Sequence, residues 1–193
     1  AFGSFTIRQM LDNHLTDFYI MGSASAHQMA EWSNKIQEIA ASSRLGIPIS
    51  LTSDPRHCTR SAPTINIKTP AFSDWPEMTG FAAIGDEALV EEFADIARQE
   101  YVAVGLRSAL HPVADIATEP RWARVGATFG ENAEIASRLV AAYIRGFQGK
   151  ELGKSSVACA TKHFPGGGPQ MDGEDPHFAY GREQVYPGDK FDY

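Results

Sequence analysis

The sequence predicts an α/β fold of about four βα units around a parallel sheet. Short apolar runs alternate with longer stretches whose apolar residues recur at helical spacing. Charged residues also fall just beyond successive apolar runs, at what become the C-terminal ends of strands. In such folds those ends are where ligands bind. No shift in composition along the 193 residues marks a second domain.

The first strand is read at Asp17–Gly22. Ser25 and Gln28 then form a capping box, in which the serine side chain and the glutamine side chain each satisfy the other's backbone N–H. Met29, Trp32, Ile36, Ile39 and Ala40 follow as the buried stripe of a helix, which Gly46 is expected to end. Ile47–Ser53 reads as the second strand and leads to Asp54. A long connection bearing several prolines runs from Pro55 to Gly85. Asp86 caps the next helix, whose stripe is Leu89, Phe93, Ile96, Ala97, Tyr101 and Val104. Ser108–Ala114 reads as the third strand, weakened by Pro112, which cannot donate to a ladder. A loop carries Asp115 through Gly130. Ile135, Leu139, Val140, Tyr143 and Phe147 form the next stripe, and Ser156–Ala160 is the fourth strand. The segment from Gly166 to Tyr193 has no periodicity and reads as loop.

Composition narrows the function. The chain is 43% hydrophobic and 21% charged, with a formal net charge of −7. An acidic balance opposes general binding to nucleic acid or to anionic membranes. No apolar run approaches the length of a membrane span, and no basic segment followed by an apolar run opens the sequence. Cys58 and Cys159 match no metal spacing and are too few for a disulfide framework, so they assign no compartment.

The polar residues converge. Asp54, Asp115 with Arg124, and Lys162 with His163 each lie at or just after the end of a predicted strand. The densest cluster is Lys162-His163-Phe164-Pro165-Gly166-Gly167-Gly168. It places a cation, an imidazole and a backbone able to turn tightly at one strand end. The alternative for these residues is a set of structural ion pairs around the rim of the sheet.

These residues resemble glycoside hydrolase family 3, in its N-terminal barrel domain, from about Leu15 to Tyr186. The resemblance rests on Gly46-Ile47-Pro48 through Asp54, on Asp115 with Pro120-Arg121-Trp122-Ala123-Arg124, on Phe129-Gly130-Glu131-Asn132, and on Lys162-His163-Phe164-Pro165-Gly166. The family pattern usually has glycine where Ala123 stands. The run from Gly166 to His177 looks like a β-glucosidase-type branch seen in bacteria. Asp172-Gly173-Glu174 stands where N-acetylglucosamine-cleaving members carry Asp-Ser-His, which argues against that branch.

The resemblance implies that the four βα units are a portion of a (β/α)8 TIM-type barrel. It also implies a retaining exo-glycosidase that removes a terminal non-reducing β-D-glycosyl residue through a covalent intermediate. Asp54, Arg124, Lys162 and His163 would bind the terminal sugar. The partner is thus a carbohydrate substrate, with no nucleic acid and no membrane, and no cofactor is expected. Asp115, Asp172, Glu174, Asp175 and His177 are candidates for a pocket wall. The acidic run at 172–177 also reads as an exposed loop without function. A hard-cation site is the third reading, but the run lacks the calcium-loop pattern, and no metal is expected.

The family's nucleophile is an aspartate in a Ser-Asp-Trp-like segment downstream of Lys-His. Ser73-Asp74-Trp75 has that composition but precedes the Arg124 and Lys162 motifs, so Asp74 reads as loop structure. The nucleophile is then expected beyond Tyr193. Since a whole barrel takes about 250 residues, the chain would need the remainder of the same enzyme, or a second chain, to complete it. Two further readings are a catalytically silent carbohydrate-binding half-barrel and a phosphate-binding barrel with Gly166–Gly168 as the cradle. The acidic run and the lack of a helix start after the glycines oppose the last.

Overall fold

The computed structural model describes residues 5–22, 24–58, 71–164, 166–186, 188 and 190. Its sheet has four parallel strands in chain order: β1 (Asp17–Tyr19), β2 (Ser50–Ser53), β3 (Ser108–Ala109) and β4 (Ala158–Cys159). The helices are α1 (Ile7–Asp12), α2 (Ala26–Ala41), α3 (Met78–Ile84), α4 (Glu87–Ala103) and α5 (Ala133–Gln148). With right-handed crossovers as the rule, strand order that follows chain order puts the crossover helices on one face. That is the progression of a barrel rather than of a doubly wound sheet. Among the described residues no helix is long and apolar enough to cross a membrane.

The expected caps are in place. Ser25 and Gln28 make the capping box of α2, and Asp86 accepts from the N–H groups of Ala88 and Leu89. A second capping box, Thr6 with Gln9, opens α1, which the sequence reading passed over. The connection expected over 55–85 holds a further helix, α3; residues 59–70 of it lie outside the described residues. Helix α2 ends at Ala41 with Ser42 as its cap, so Gly46 does not terminate it and lies further on, before β2. Trp32, read as core, is 42% exposed, while Ser33 is buried in its place.

The strands are shorter than their apolar runs, and for the second and third the reason is local. Pro48 lacks an N–H, and the next residue pairs with a side chain instead of a strand. Ile49 N–H donates to Gln37 Oε1 at 3.0 Å, and Gln37 Nε2 donates to the Ile49 carbonyl at 2.8 Å. Pro112 interrupts the third strand. Pairing resumes beyond it as a parallel bridge between Val113 and Lys162. Here Lys162 N–H donates to Pro112 O at 3.0 Å, and Ala114 N–H donates to Lys162 O at 2.6 Å.

Helices α4 and α5 pack most closely. Val90, Phe93, Ala94, Ala97 and Tyr101 of α4 are buried against Ala136, Leu139, Ala142, Tyr143 and Phe147 of α5. Their approach depends on Gly146. A Cβ there would come within 2.4 Å of Ala94 Cβ and 2.5 Å of the Glu91 carbonyl oxygen.

Alanine normally stabilises a helix by about 1 kcal/mol relative to glycine. Gly146→Ala should nevertheless destabilise the fold by about 1–3 kcal/mol, because the methyl group overpacks a backbone contact. Thermal denaturation checks this. An unchanged or raised midpoint would show that the two helices can separate without loss.

Candidate active site

Parallel strands deliver their C-terminal ends to one edge, and four of them deliver the polar residues there. Asp54 directly follows β2. Its Oδ1 accepts from Lys162 Nζ at 2.5 Å, beyond β4, while its Oδ2 accepts from the Tyr19 hydroxyl at the end of β1. The pair is partly sheltered, with the aspartate side chain 9% and the lysine side chain 21% exposed. Burial first, and then the hydrogen bond to the Asp54 carboxylate, push the Tyr19 hydroxyl well above its ordinary value. Tyr19 therefore stays a donor.

The second half of the cluster is built on Asp115. It is 1% exposed, and three N–H groups converge on it. Oδ2 accepts from His163 N at 3.0 Å and pairs with His163 Nδ1 at 2.8 Å, and Oδ1 accepts from Gly167 N–H. Burial would raise this carboxyl. The hydrogen bonds from the His163 ring and from the backbone outweigh it and hold the group below its ordinary value. Asp115 stands behind His163 and the glycine loop as their anchor. The loop lies close: a Cβ on Gly168 would fall 1.9 Å from the Ile116 carbonyl oxygen.

With Nδ1–H directed at Asp115, Nε2 is an acceptor whenever the ring is uncharged. That atom faces Arg124, whose Nη2 lies 3.5 Å away. Arg124 is buried, and its guanidinium sits 5.7 Å from the centroid of the Trp122 ring. The indole N–H in turn donates to Asp175 Oδ2 at 3.2 Å. Asp175 also accepts from His177 N at 3.0 Å and pairs with its Nδ1 at 2.5 Å. Burial raises the Asp175 carboxyl, but the His177 and Trp122 hydrogen bonds carry it below its ordinary value.

The structure thus joins Asp54 to Lys162 and Arg124 to His163, with Asp115 behind the second pair. It links Asp175 and His177 to them through Trp122. Asp172 turns instead to Arg121 Nη1, 3.0 Å away, and with Glu119 and Gln170 borders a separate cavity of about 480 Å³. Glu174 is exposed. Pro165 of the Lys-His motif lies outside the described residues.

The segment around Asp74 is fastened elsewhere. Ser73 N–H donates to Glu100 Oε2 at 3.0 Å, and Trp75 N–H donates to the His57 carbonyl at 2.9 Å. Burial pushes the Cys159 thiol up to about 12, so it stays a thiol at neutral pH. Among the described residues no group of three or more His, Cys, Asp or Glu is placed to hold a metal ion.

Sequence reasoning missed Tyr19 and gave Trp122 no role of its own. Tyr19 lay inside a strand run extended to Gly22. Only the true end of β1, at Tyr19, marks it as a rim residue.

Residues 6–183 match the family model described as glycosyl hydrolase family 3 N terminal domain. Beta-glucosidase C of Emericella nidulans is 49% identical over 192 residues, covering 98% of this chain and 31% of that protein. The periplasmic beta-glucosidase/beta-xylosidase of Dickeya chrysanthemi is 49% identical over 157 residues, covering 80% of this chain and 24% of that protein. Among solved structures, a glycoside hydrolase family 3 beta-N-acetylglucosaminidase from Paenibacillus sp. str. FPU-7 superposes with a TM-score of 0.70 at 26% identity. That match covers 89% of this chain and 31% of the other. The chain thus spans about a quarter to a third of the length of these relatives.

Asp115 gives a signed pH effect. Its carboxyl is held below the unfolded value of about 3.9, so it stabilises the fold fully above that pH. The contribution is lost as pH falls from there through the lower folded value. Asp115→Asn should therefore be less stable than the parent at neutral pH, with the gap closing below about pH 4. Denaturant midpoints of both proteins across pH 2–7 measure it. A gap independent of pH would mean that the carboxylate charge is not what holds His163 and Gly167.

Proposed function

The chain belongs to glycosyl hydrolase family 3, and from that footing we propose that it forms the sugar-holding part of a retaining exo-glycosidase of β-glucosidase type. Residues 1–193 are then part of an N-terminal (β/α)8 barrel domain. The observation that carries the reading is the Asp54–Lys162 pair with His163 and Arg124 beside it, gathered from different strand ends onto one rim. A pyranose presents several hydroxyls, each both donor and acceptor. Asp54 accepts from two, Lys162 and Arg124 donate to others, and His163 Nε2 accepts. Contacts of this kind strengthen as the ring flattens toward its oxocarbenium-like transition state, so they act on rate as well as on binding.

Retention needs two carboxyl roles, about 5–5.5 Å apart across the glycosidic bond. The cluster's own carboxylates are committed. Asp54 is held by Lys162 and Tyr19, and Asp115 is buried under three N–H donors. On this reading neither attacks the anomeric carbon, and the nucleophile and the acid/base come from other parts of the whole polypeptide or from a second chain. The names of the Emericella nidulans and Dickeya chrysanthemi relatives support the β-glucosidase assignment.

In the whole enzyme, Asp54→Ala or Lys162→Ala should reduce kcat/KM for an aryl β-glucoside by about 2–4 kcal/mol, since each leaves a charged partner unpaired and loosens the transition state. Asp74→Ala should change it little. Steady-state kinetics decide, and a larger loss at Asp74 would reverse the assignment.

Residues 1–193 expressed alone should not turn over nitrophenyl glycosides. Turnover that vanishes on Lys162→Ala would place the nucleophile inside this segment.

A further inference from the structure

The main chain at Asp54 is held by an array that no sugar contact explains. The β2–β3 ladder makes its last rung from Leu110 N–H to the Ser53 carbonyl. One residue on, the Asp54 carbonyl has run out of strand partners. The Tyr101 hydroxyl of α4 takes that place, at 2.9 Å. The same hydroxyl is 3.1 Å from His111 Nε2, and the Tyr143 hydroxyl of α5 is 2.6 Å from His111 Nδ1. Tyr101, His111 and Tyr143 are 0%, 1% and 3% exposed.

The proton positions follow from donor counts. A carbonyl only accepts, so the single Tyr101 proton points at Asp54. Tyr101 oxygen must then accept from His111 Nε2–H. A neutral imidazole has one N–H, which leaves Nδ1 to accept from Tyr143. Burial holds His111 neutral by pushing its pKa well down. The chain of bonds therefore runs one way, from Tyr143 through His111 and Tyr101 to the Asp54 carbonyl. The imidazole is clamped edge-to-face by Tyr101, Tyr143 and Phe147, with ring centroids 5.7, 5.5 and 4.9 Å away.

Three aromatic rings would fill this space without any polar atoms. Buried polar groups that are all satisfied fix one arrangement, because every alternative leaves an atom unpaired. We propose that the Tyr143–His111–Tyr101 array is a positioning device for Asp54. It locks the main chain from which the carboxylate reaches Lys162, and so sets the affinity for the terminal sugar without touching it. The last step rests on reading Asp54 as a sugar ligand; the positioning itself does not.

The test uses the whole polypeptide carrying this segment. Tyr101→Phe deletes one oxygen and keeps the ring. His111→Gln offers an N–H to Tyr101 and an oxygen to Tyr143, whereas His111→Leu offers neither. Binding of the glucose mimic 1-deoxynojirimycin is followed by calorimetry, with melting curves to confirm folding. Tyr101→Phe and His111→Leu should each weaken binding about tenfold, and the double variant should be no weaker than the poorer single, since both break one chain. His111→Gln should stay within about threefold of the parent. Equal losses for His111→Gln and His111→Leu, or full affinity in Tyr101→Phe, overturn the proposal. If Tyr101→Phe does not fold, Tyr143→Phe takes its place under the same criterion.

A crystal structure of ligand-free Tyr101→Phe, or of Tyr143→Phe in its stead, reads positioning independently of activity. The Asp54–Lys162 contact should open beyond hydrogen-bond distance, and an unchanged contact sinks the proposal. A parent protein that binds no sugar would refute the glycosidase reading alone, and the crystal structure would still decide this one.

Discussion

The ion pair between Asp54 and Lys162 is the contact on which the rest of the rim depends. Its members follow β2 and β4, so it reaches over the intervening strand β3. Each partner draws others into place. Asp54 takes the Tyr19 hydroxyl from β1, and Lys162 carries His163 next to it in the chain, which brings in Asp115, Gly167 and Arg124. A sheltered pair of this kind adds little net stability, since both charges surrender hydration on folding. Losing either partner is costly, because the survivor stays behind uncompensated. The pair acts as a geometric constraint on the rim.

Two kinds of polar group meet at the strand ends and behave oppositely. At the rim, Asp54, Lys162 and His163 keep partial access to solvent, and their hydrogen bonds can be exchanged. Beneath it, Asp115, His111 and Tyr101 are closed off, and their bonds fix positions. The helix packing supports the lower layer directly. Tyr101 and Tyr143 belong to α4 and α5, whose close contact at Gly146 sets the spacing into which the His111 ring fits.

Most of this was written locally in the sequence. Helical spacing located α2, α4 and α5, because a buried stripe repeats with the helix. Ser25–Gln28 and Asp86 marked two helix starts, because a cap needs only residues within one turn. The Thr6–Gln9 box carried the same signal for α1, but only a single apolar residue of that helix, Leu11, is buried. Helix α3 was hidden because its first residue follows Glu77, which makes no side-chain cap bond. Trp32 was misread because period alone cannot tell which flank of a stripe meets the sheet. The rim residues from Asp54 to His163 were legible as charges after apolar runs. Tyr19 and His111 were not, since Tyr19 meets Asp54 35 positions away and His111 meets Tyr143 32 positions away.

That remoteness also orders events in time. The Asp54–Lys162 contact closes across 108 positions, and the Gly167 contact with Asp115 across 52. A chain leaving the ribosome presents β1, β2 and β3, with α4 and α5, before Lys162 exists. Local helices and nearest-strand pairing form early, while long closures wait for their second half. Until then Asp54 lacks Lys162, and the Tyr19 hydroxyl and water complete its shell. The nascent sheet therefore keeps a hydrated notch at one end while its core condenses, and arrival of the fourth strand narrows that notch to the partly exposed rim.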